Sequence, residues 1–386
     1  MNRTLQSPDS NSHARTSHDR FLPRFVGRPI VIPAPQFLDA IHQERRRSER
    51  STKPFVLMLA RLQYPPKGEA HSRAVRRLVT VLRDAVRETD KIGWYQEDQL
   101  LGVIFTELGD ADQVAVLTSL KQRANNVFGN SGRDLQNLVV SFTFHFFPDD
   151  STPLGQPIDF KVYPELSRET WQQKVARAIK RGVDLLGSVL LLAFLFVPLL
   201  LIALLIKLTS RGPVLFRQTR IGQHGKTFCF FKFRSMQVNN DATVHQEYVC
   251  RFIAGQAELH TVNGKGGVYK ITNDPRVTAI GRVLRKTSLD ELPQLLNVIQ
   301  GHMSLIGPRP PVPYEFQQYD LWHRRRVLEI KPGITGLWQV NGRSRTSFDD
   351  MVRLDLQYAR EWSLWLDLKI LSRTLWLVLR QQPSAY

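Results

Sequence analysis

The stretch Leu185–Ile206 holds 22 residues without a single charge, and it limits what this chain can be more than any other feature. It is long enough for a helix to cross the hydrocarbon core of a bilayer. Two features argue against a plain crossing. Pro198 lies near the middle, where it removes a backbone donor and breaks or kinks a helix. Both flanks are basic, with Lys174, Arg177, Lys180 and Arg181 before the run and Lys207, Arg211, Arg217 and Arg220 after it. Positive charge marks the cytoplasmic side of a membrane segment, so both ends ask for the same side. A re-entrant helical hairpin over 183–207, bent at Pro198, satisfies both facts. An ordinary spanning helix stays open beside it, because proline is tolerated in membrane helices. Either way the run reads as a membrane element.

The rest of the chain has to fold around that element. Its 386 residues point to two domains rather than one core. Lys plus Arg number 53 against 35 Asp plus Glu, a net charge of +18. That excess predicts a polyanionic partner: nucleic acid, an anionic membrane surface or phosphorylated substrates. Nucleic acid is suggested by charge alone, and no nucleic-acid partner is expected. Cys229 and Cys250 make neither a metal pattern nor a disulfide framework, and both thiols are expected to be packed in a reducing setting. Residues 1–52 are expected to form a disordered, basic segment without a secretory signal. Within it, "QERRRSER" (Gln43 to Arg50) reads as a solvated helix face or linker.

From Pro54 the pattern becomes regular. "PFVLMLARL" reads as a buried strand. The following helix carries Val75, Leu78, Val79, Leu82 and Val86 on one face. "KIGWY" and "LLGVIFTE" read as strands joined by a tight turn. A second helix has Val114, Leu117, Leu120 and Val127 on one face, and "LVVSFTFHFF" supplies the last strand. The order βαββαβ over 53–150 predicts a ferredoxin-like split unit. Its turn, "RETDKIGWYQEDQL", resembles the signature region of GGDEF-type diguanylate cyclases. In that register Tyr95 matches the family tyrosine and "QEDQL" (Gln96 to Leu100) stands where Gly-Gly-Asp-Glu-Phe would be. Both glycines are missing and only Glu97 and Asp98 keep the acidic character, so the resemblance implies a degenerate module without cyclase activity. Whether it binds a nucleotide, contacts a partner or pairs two protomers into a homodimer stays open. A Pro-rich linker, 151–173, follows.

"RIGQHGKTF" looks briefly like a P-loop, but the gap between Gly222 and Gly225 is two residues and "TFCFFKFRSM" continues as a strand. A hairpin turn is the better account. It leaves Lys232 and Arg234 on one face of that strand, a candidate phosphate clamp.

The densest stretch is "TNDPRVTAIGRVLRKTSLDELPQLLNVIQGHMSLIGPRPPVP". "SLDE" (Ser288 to Glu291) has the form of a capping box, and Pro293 must lie near a helix start. Asp290 and Glu291 are therefore expected at the N-terminus of a helix continued by Leu292 to Ile299, where the dipole favours anions and a phosphate nearby. Paired carboxylates close to Arg282, Arg285 and Lys286 suit a divalent cation and a nucleophile acting on phosphorus. A capping box on an ordinary helix is the plain alternative. "GPRPP" (Gly307 to Pro311) mounts Arg309 rigidly, beside Pro308, for phosphate or nucleotide. "KPGITGLWQVNGR" (Lys331 to Arg343) looks too irregular for a core element and suited to a ligand loop.

"KFRSM", "ITNDPRVTAIGRVLRKTSLDELPQLLNVIQGHMSLIGPRP", "KPGITGLWQVNGR" and "LDLQYAREWSLWLDLKIL" together resemble the bacterial sugar transferase family, the monotopic polyprenyl-phosphate phosphoglycosyl transferases. The resemblance runs from about Lys174 to Arg380. It implies an α+β chain in which the GGDEF-like domain precedes a re-entrant hairpin and a helix-rich α/β catalytic domain, 174–386. It further implies that Asp290 attacks the β-phosphate of a UDP-sugar, expels UMP and carries the phosphosugar to undecaprenyl phosphate, for exopolysaccharide or another surface glycan. Glu291 would hold Mg²⁺. Arg285, Arg309 and Arg343 would grip phosphates or the nucleotide, with Lys232, Arg234 and Arg282 as further substrate-binding candidates. Asp355 and Asp367 are read as structural. The implied location is the bacterial inner membrane, with the catalytic domain on its cytoplasmic face. One departure is Val197, where family members often carry serine before the hairpin proline. A rival reading is a membrane-anchored cyclic-dinucleotide-binding regulator with an inactive transferase domain; the intact Asp290–Glu291 pair argues against it.

Overall fold

A computed structural model describes residues 31–63, 69–108, 112–129, 139–149, 158–167, 170–237, 243–256, 260–261, 267–268, 276–342 and 346–380. It opens with helix α1 (Ala34–Ser51), then strand β1 (Phe55–Gln63), helix α2 (Glu69–Ala85), strands β2 (Lys91–Gln96) and β3 (Leu100–Phe105), helix α3 (Gln113–Gly129) and strand β4 (Val139–Phe147). The strands form one antiparallel sheet in the order β2-β3-β1-β4, the ferredoxin-like arrangement expected from the βαββαβ pattern. Along β1 successive side chains alternate between faces. Met58 and Ala60 pack with Leu78 and Leu82 of α2, while Leu57 and Leu59 pack on the opposite face. In α3, Leu120 is buried but Val114 is exposed; the side chain of Val127 lies outside the described residues.

That second face explains why the expectation of disorder across 1–52 fails for α1. A sheet apolar on both sides needs two covers, and α1 supplies the one that α2 and α3 leave open. Phe37, Leu38 and Ile41 fill the core against Phe55, Leu57, Leu59, Tyr95 and Phe147. Gly93 and Gly102 permit it, since a Cβ on either would come within 2.4 Å and 2.3 Å of the Phe37 ring. The basic run is not simply solvated. Arg45 is 1% exposed, pairs with Glu165 at 2.5 Å and lies over the Tyr163 ring. The acidic turn also serves this docking, because Glu97 accepts the Ala34 N–H at the start of α1 (3.1 Å).

The short helix α4 (Pro164–Ser167), which carries Glu165, leads to α5 (Trp171–Phe194) and α6 (Phe196–Thr209). These two are bent by 64°. The break falls at Leu195, not at Pro198 as the sequence suggested. A proline ring collides with the carbonyl four residues earlier, here Phe194, so the first helix stops there. Pro198 then sits in the first turn of α6, where N–H groups have no intrahelical partner anyway. Among the described residues no single helix is long and apolar enough to cross a membrane.

An antiparallel hairpin of β5 (Leu215–Ile221) and β6 (Thr227–Phe233) follows, as the rejected P-loop required. Helix α7 (Thr243–Ile253), the two-residue strands β7 (His260–Thr261) and β8 (Gly267–Val268), helices α8 (Ala279–Thr287) and α9 (Gln294–Ile299) and strand β9 (Ser304–Ile306) lead to α10 (Pro313–Gln317) and α11 (Leu321–Leu328). Strand β10 (Gly333–Thr335) pairs in parallel with β9. Helices α12 (Leu337–Asn341), α13 (Phe348–Glu361) and α14 (Leu364–Leu379) are the last of the described elements. Ile221, Tyr319, Val327, Trp338, Phe348 and Val352 form its main core here.

Candidate active site

The expected capping box does not form. Ser288 is left-handed (φ 59°), closes the C-terminus of α8, and makes no side-chain cap. The chain passes through a 3₁₀ turn, Leu289–Glu291, before Pro293 precedes α9. Asp290 and Glu291 therefore lie ahead of a short helix and not in its first turn. Their charge is balanced by side chains instead of by the dipole.

Asp290 is 2% exposed, and the Lys232 ammonium stands 2.9 Å from its Oδ2. The same ammonium is 3.6 Å from Glu291 Oε1, and Arg309 Nη1 reaches that oxygen at 3.7 Å. Two carboxylates and two cations thus meet from β6, the acidic turn and the Arg309 loop. A buried carboxylate is tolerated only when paired. Lys232 supplies the pairing, yet among the described residues Asp290 Oδ2 accepts no hydrogen bond of good geometry.

The "GPRPP" loop is rigid for reasons visible atom by atom. Gly307 N donates to Thr335 O (2.8 Å), and Gly333 N donates to Pro308 O (2.8 Å). Arg326 Nη2 donates to Arg309 O (3.5 Å), Arg220 Nη1 to Pro310 O (2.9 Å), and Ile221 N to Pro311 O (2.9 Å). "KPGITGLWQVNGR" is not a ligand loop over its described part, since 333–335 is strand and Trp338 and Val340 are core. Its irregular look came from glycines that serve contact between backbones. A Cβ on Gly333 would lie 2.0 Å from Gly307 N, and one on Gly336 would lie 2.5 Å from Gly307 O.

The remaining candidates separate. Arg234 is buried and donates to Arg211 O (3.0 Å), Ser210 O (2.8 Å) and Ser210 Oγ (2.6 Å). It closes the end of α6, so the structure gives it a capping task in place of the proposed phosphate clamp. Arg282 is exposed on α8 and Arg285 is half-buried in its last turn. Arg343 lies outside the described residues. Asp355 pairs with Arg326 (2.7 Å). Asp367 accepts from Lys180 (2.7 Å), Tyr358 (2.6 Å) and Trp362 (3.1 Å). Cys229 is exposed, not packed.

Sequence reasoning missed how α5 is tied to the site. Arg181 donates to Val298 O (2.6 Å) and Ile299 O (2.9 Å), satisfying carbonyls at the end of α9. Asp184 Oδ1 accepts from Ser304 Oγ and Leu305 N, both at 3.0 Å. The available signal was Asp184 itself, an acid at the very edge of an apolar run.

The donor set suits magnesium in one respect. Among the described residues no group of three or more His, Cys, Asp or Glu could hold a metal ion alone. Mg²⁺ usually takes one or two carboxylates and completes its shell with water and substrate phosphates, and Glu291, partly exposed beside Asp290, fits that role.

The bacterial sugar transferase family model matches residues 175–381. The undecaprenyl-phosphate galactose phosphotransferase of Salmonella typhimurium LT2 is 42% identical over 252 residues, which cover 64% of this chain and 50% of that protein. The UDP-glucose:undecaprenyl-phosphate glucose-1-phosphate transferase of Escherichia coli K12 is 42% identical over 213 residues, 52% of this chain and 40% of that protein. The chain thus spans half or less of the length of these relatives. Among solved structures, a DGC protein from Thermotoga maritima matches 31% of this chain and 85% of its own at 16% identity and a TM-score of 0.25, too loose an overlap to assign the N-terminal module a role. With more than half of its residues inside the family match, the chain belongs to the bacterial sugar transferase family.

Proposed function

We propose that the chain moves a sugar 1-phosphate from a UDP-sugar to undecaprenyl phosphate through a covalent intermediate on Asp290. The observation that carries this reading is the buried Asp290 carboxylate, 2.9 Å from Lys232 and beside Glu291 and Arg309. A carboxylate oxygen of Asp290 attacks the β-phosphorus, and the bond from that phosphorus to the bridging oxygen breaks. UMP leaves with the bridging oxygen. An oxygen of undecaprenyl phosphate then attacks the same phosphorus, the aspartyl O–P bond breaks, and the carboxylate is restored. Lys232 offsets negative charge as phosphate approaches Asp290, and Arg309 holds phosphate oxygens in the manner of a fixed guanidinium. Glu291 would hold Mg²⁺, which when bound neutralises phosphate charge.

The lipid acceptor calls for a membrane location. Leu186, Leu190, Phe194, Val197, Leu201 and Leu204 of α5 and α6 are exposed, as are Trp365, Leu368, Leu375 and Trp376 of α14. A surface this apolar supports a bent pair seated in the cytoplasmic leaflet of the inner membrane. Lys174 and Arg211 are both exposed. Cysteines placed there in sealed vesicles are expected to react with an impermeant reagent from the same face. Labelling from opposite faces would exclude the re-entrant arrangement.

The two relatives are named for galactose and for glucose, so the donor is best read by experiment. Detergent-solubilised full-length protein with Mg²⁺ and undecaprenyl phosphate is expected to release UMP from one member of a panel of UDP-sugars. Transfer requires both lipid and nucleotide sugar. Absence of UMP across UDP-glucose, UDP-galactose and the N-acetylated donors, with folded protein, counts against the reading.

A further inference from the structure

Strand β6 is hydrogen-bonded to β5 along one edge. Its other edge presents backbone donors and acceptors that need partners once buried. Asn297, in the middle of α9 and 0% exposed, meets them. Its Nδ2 donates to Cys229 O at 2.7 Å, and its Oδ1 accepts from Phe231 N at 3.0 Å. The two partners fix which atom is which, because a carbonyl can only accept and an N–H can only donate. A single side chain thereby bonds residues two apart on one strand edge, as a neighbouring strand would. A primary amide carries donor and acceptor on one planar group: an ionised Asp lacks the donor, and Leu, of similar size, lacks both.

The next residue along β6 is Lys232, whose ammonium lies on Asp290. Asp290 belongs to the turn directly before α9. Asn297 therefore joins the element that carries the cation to the element that follows the acid. Arg181 holds the far end of α9 at Val298 O and Ile299 O, which leaves the helix little freedom to follow a displaced strand.

We propose that Asn297 is a positioning residue of the reaction, holding β6 in the register that sets Lys232 against Asp290. This rests on Asp290 and Lys232 acting as described above. Loss of the amide bridge lets β6 shift, and Lys232 no longer meets the carboxylate in one fixed geometry. Glu291 and Arg309 stand on other supports and keep their places.

A double-mutant cycle on the full-length enzyme tests this. Asn297→Asp retains the acceptor for Phe231 N and is the milder variant; Asn297→Leu removes both bonds. Each is expected to lower turnover by roughly 10–100-fold, the scale of one charge-assisted contact, with KM for the UDP-sugar changed much less. In a Lys232→Met background the same substitutions are expected to cost less than about 2-fold further, because the contact they disturb is already gone. Equal losses in both backgrounds would overturn the proposal and leave Asn297 a purely structural residue. Retained activity in Asp290→Asn would instead overturn the assignment of the nucleophile, so the two failures are distinguishable. Thermal midpoints measured alongside identify a variant that has merely unfolded, and the milder substitution then decides.

Discussion

Asp290→Asn is expected to lower sugar phosphate transfer by the order of 10⁴–10⁶-fold, the loss seen when a covalent nucleophile is removed from a site acting as a unit. The substitution nearly preserves shape. Asp290 is 2% exposed, and the amide gives up its ion pair with Lys232 at 2.9 Å; the ammonium keeps Glu291 at 3.6 Å, so the fold is expected to persist. Incubating the wild-type chain with a UDP-sugar labelled at the β-phosphate, without lipid, is expected to leave one sugar phosphate on the peptide containing Asp290. Asp290→Asn is expected to carry none. Glu291→Gln, one residue away, keeps the attacking oxygen and is expected to label slowly. Label on Asp290→Asn, or on another residue of the wild type, would show that the carboxylate serves binding and not covalent chemistry.

Local periodicity made the N-terminal sheet legible, because β1, α2, β2, β3, α3 and β4 each satisfy a pattern contained in their own residues. Helix α1 was hidden for the opposite reason. Its run of arginines reads as solvated until Arg45 finds Glu165, 120 positions away. The same blindness to distance explains Ser288, whose left-handed turn belongs to the end of α8 and cancels a capping box that the letters spell. Pro198 announced a break in the apolar run, and sterics moved it to the preceding turn. Gly307, Gly333 and Gly336 looked like ligand-loop residues, but their meaning lies in two backbones touching. Lys232 and Asp290 are 58 positions apart. Nothing in their spacing joins them: Lys232 was legible from strand alternation and Asp290 from the "SLDE" pattern, and the family resemblance put both in one site; the ion pair between them is a product of the fold.

Arg326→Leu is expected to cost about 3–5 kcal/mol of stability, the penalty for leaving a buried charge without its partner. Arg326 and Asp355 are 2% and 1% exposed and 2.7 Å apart. Arg326 also donates to Tyr319 Oη (3.3 Å) and to Arg309 O, so the loss extends towards the Arg309 loop. Burial pushes the Asp355 carboxyl up from an ordinary value near 3.8 to about 6, with Arg326 pulling it back down. A carboxyl raised in the folded state favours its protonated form there. Its contribution to stability is full below pH 3.8 and is lost as pH rises through about 6. Without Arg326 the downward pull disappears and the carboxyl rises further, so the penalty is expected to be smaller at pH 5 than at pH 8. Chemical denaturation at the two pH values checks this sign. Asp355→Asn alone is expected to remove the pH dependence that belongs to this pair. The double variant Arg326→Leu/Asp355→Leu is expected to regain most of the lost stability, because an apolar pair of similar volume carries no desolvation cost. Equal destabilisation at both pH values, or no recovery in the double variant, would mean that Arg326 stabilises through Tyr319 and the Arg309 carbonyl and not through Asp355.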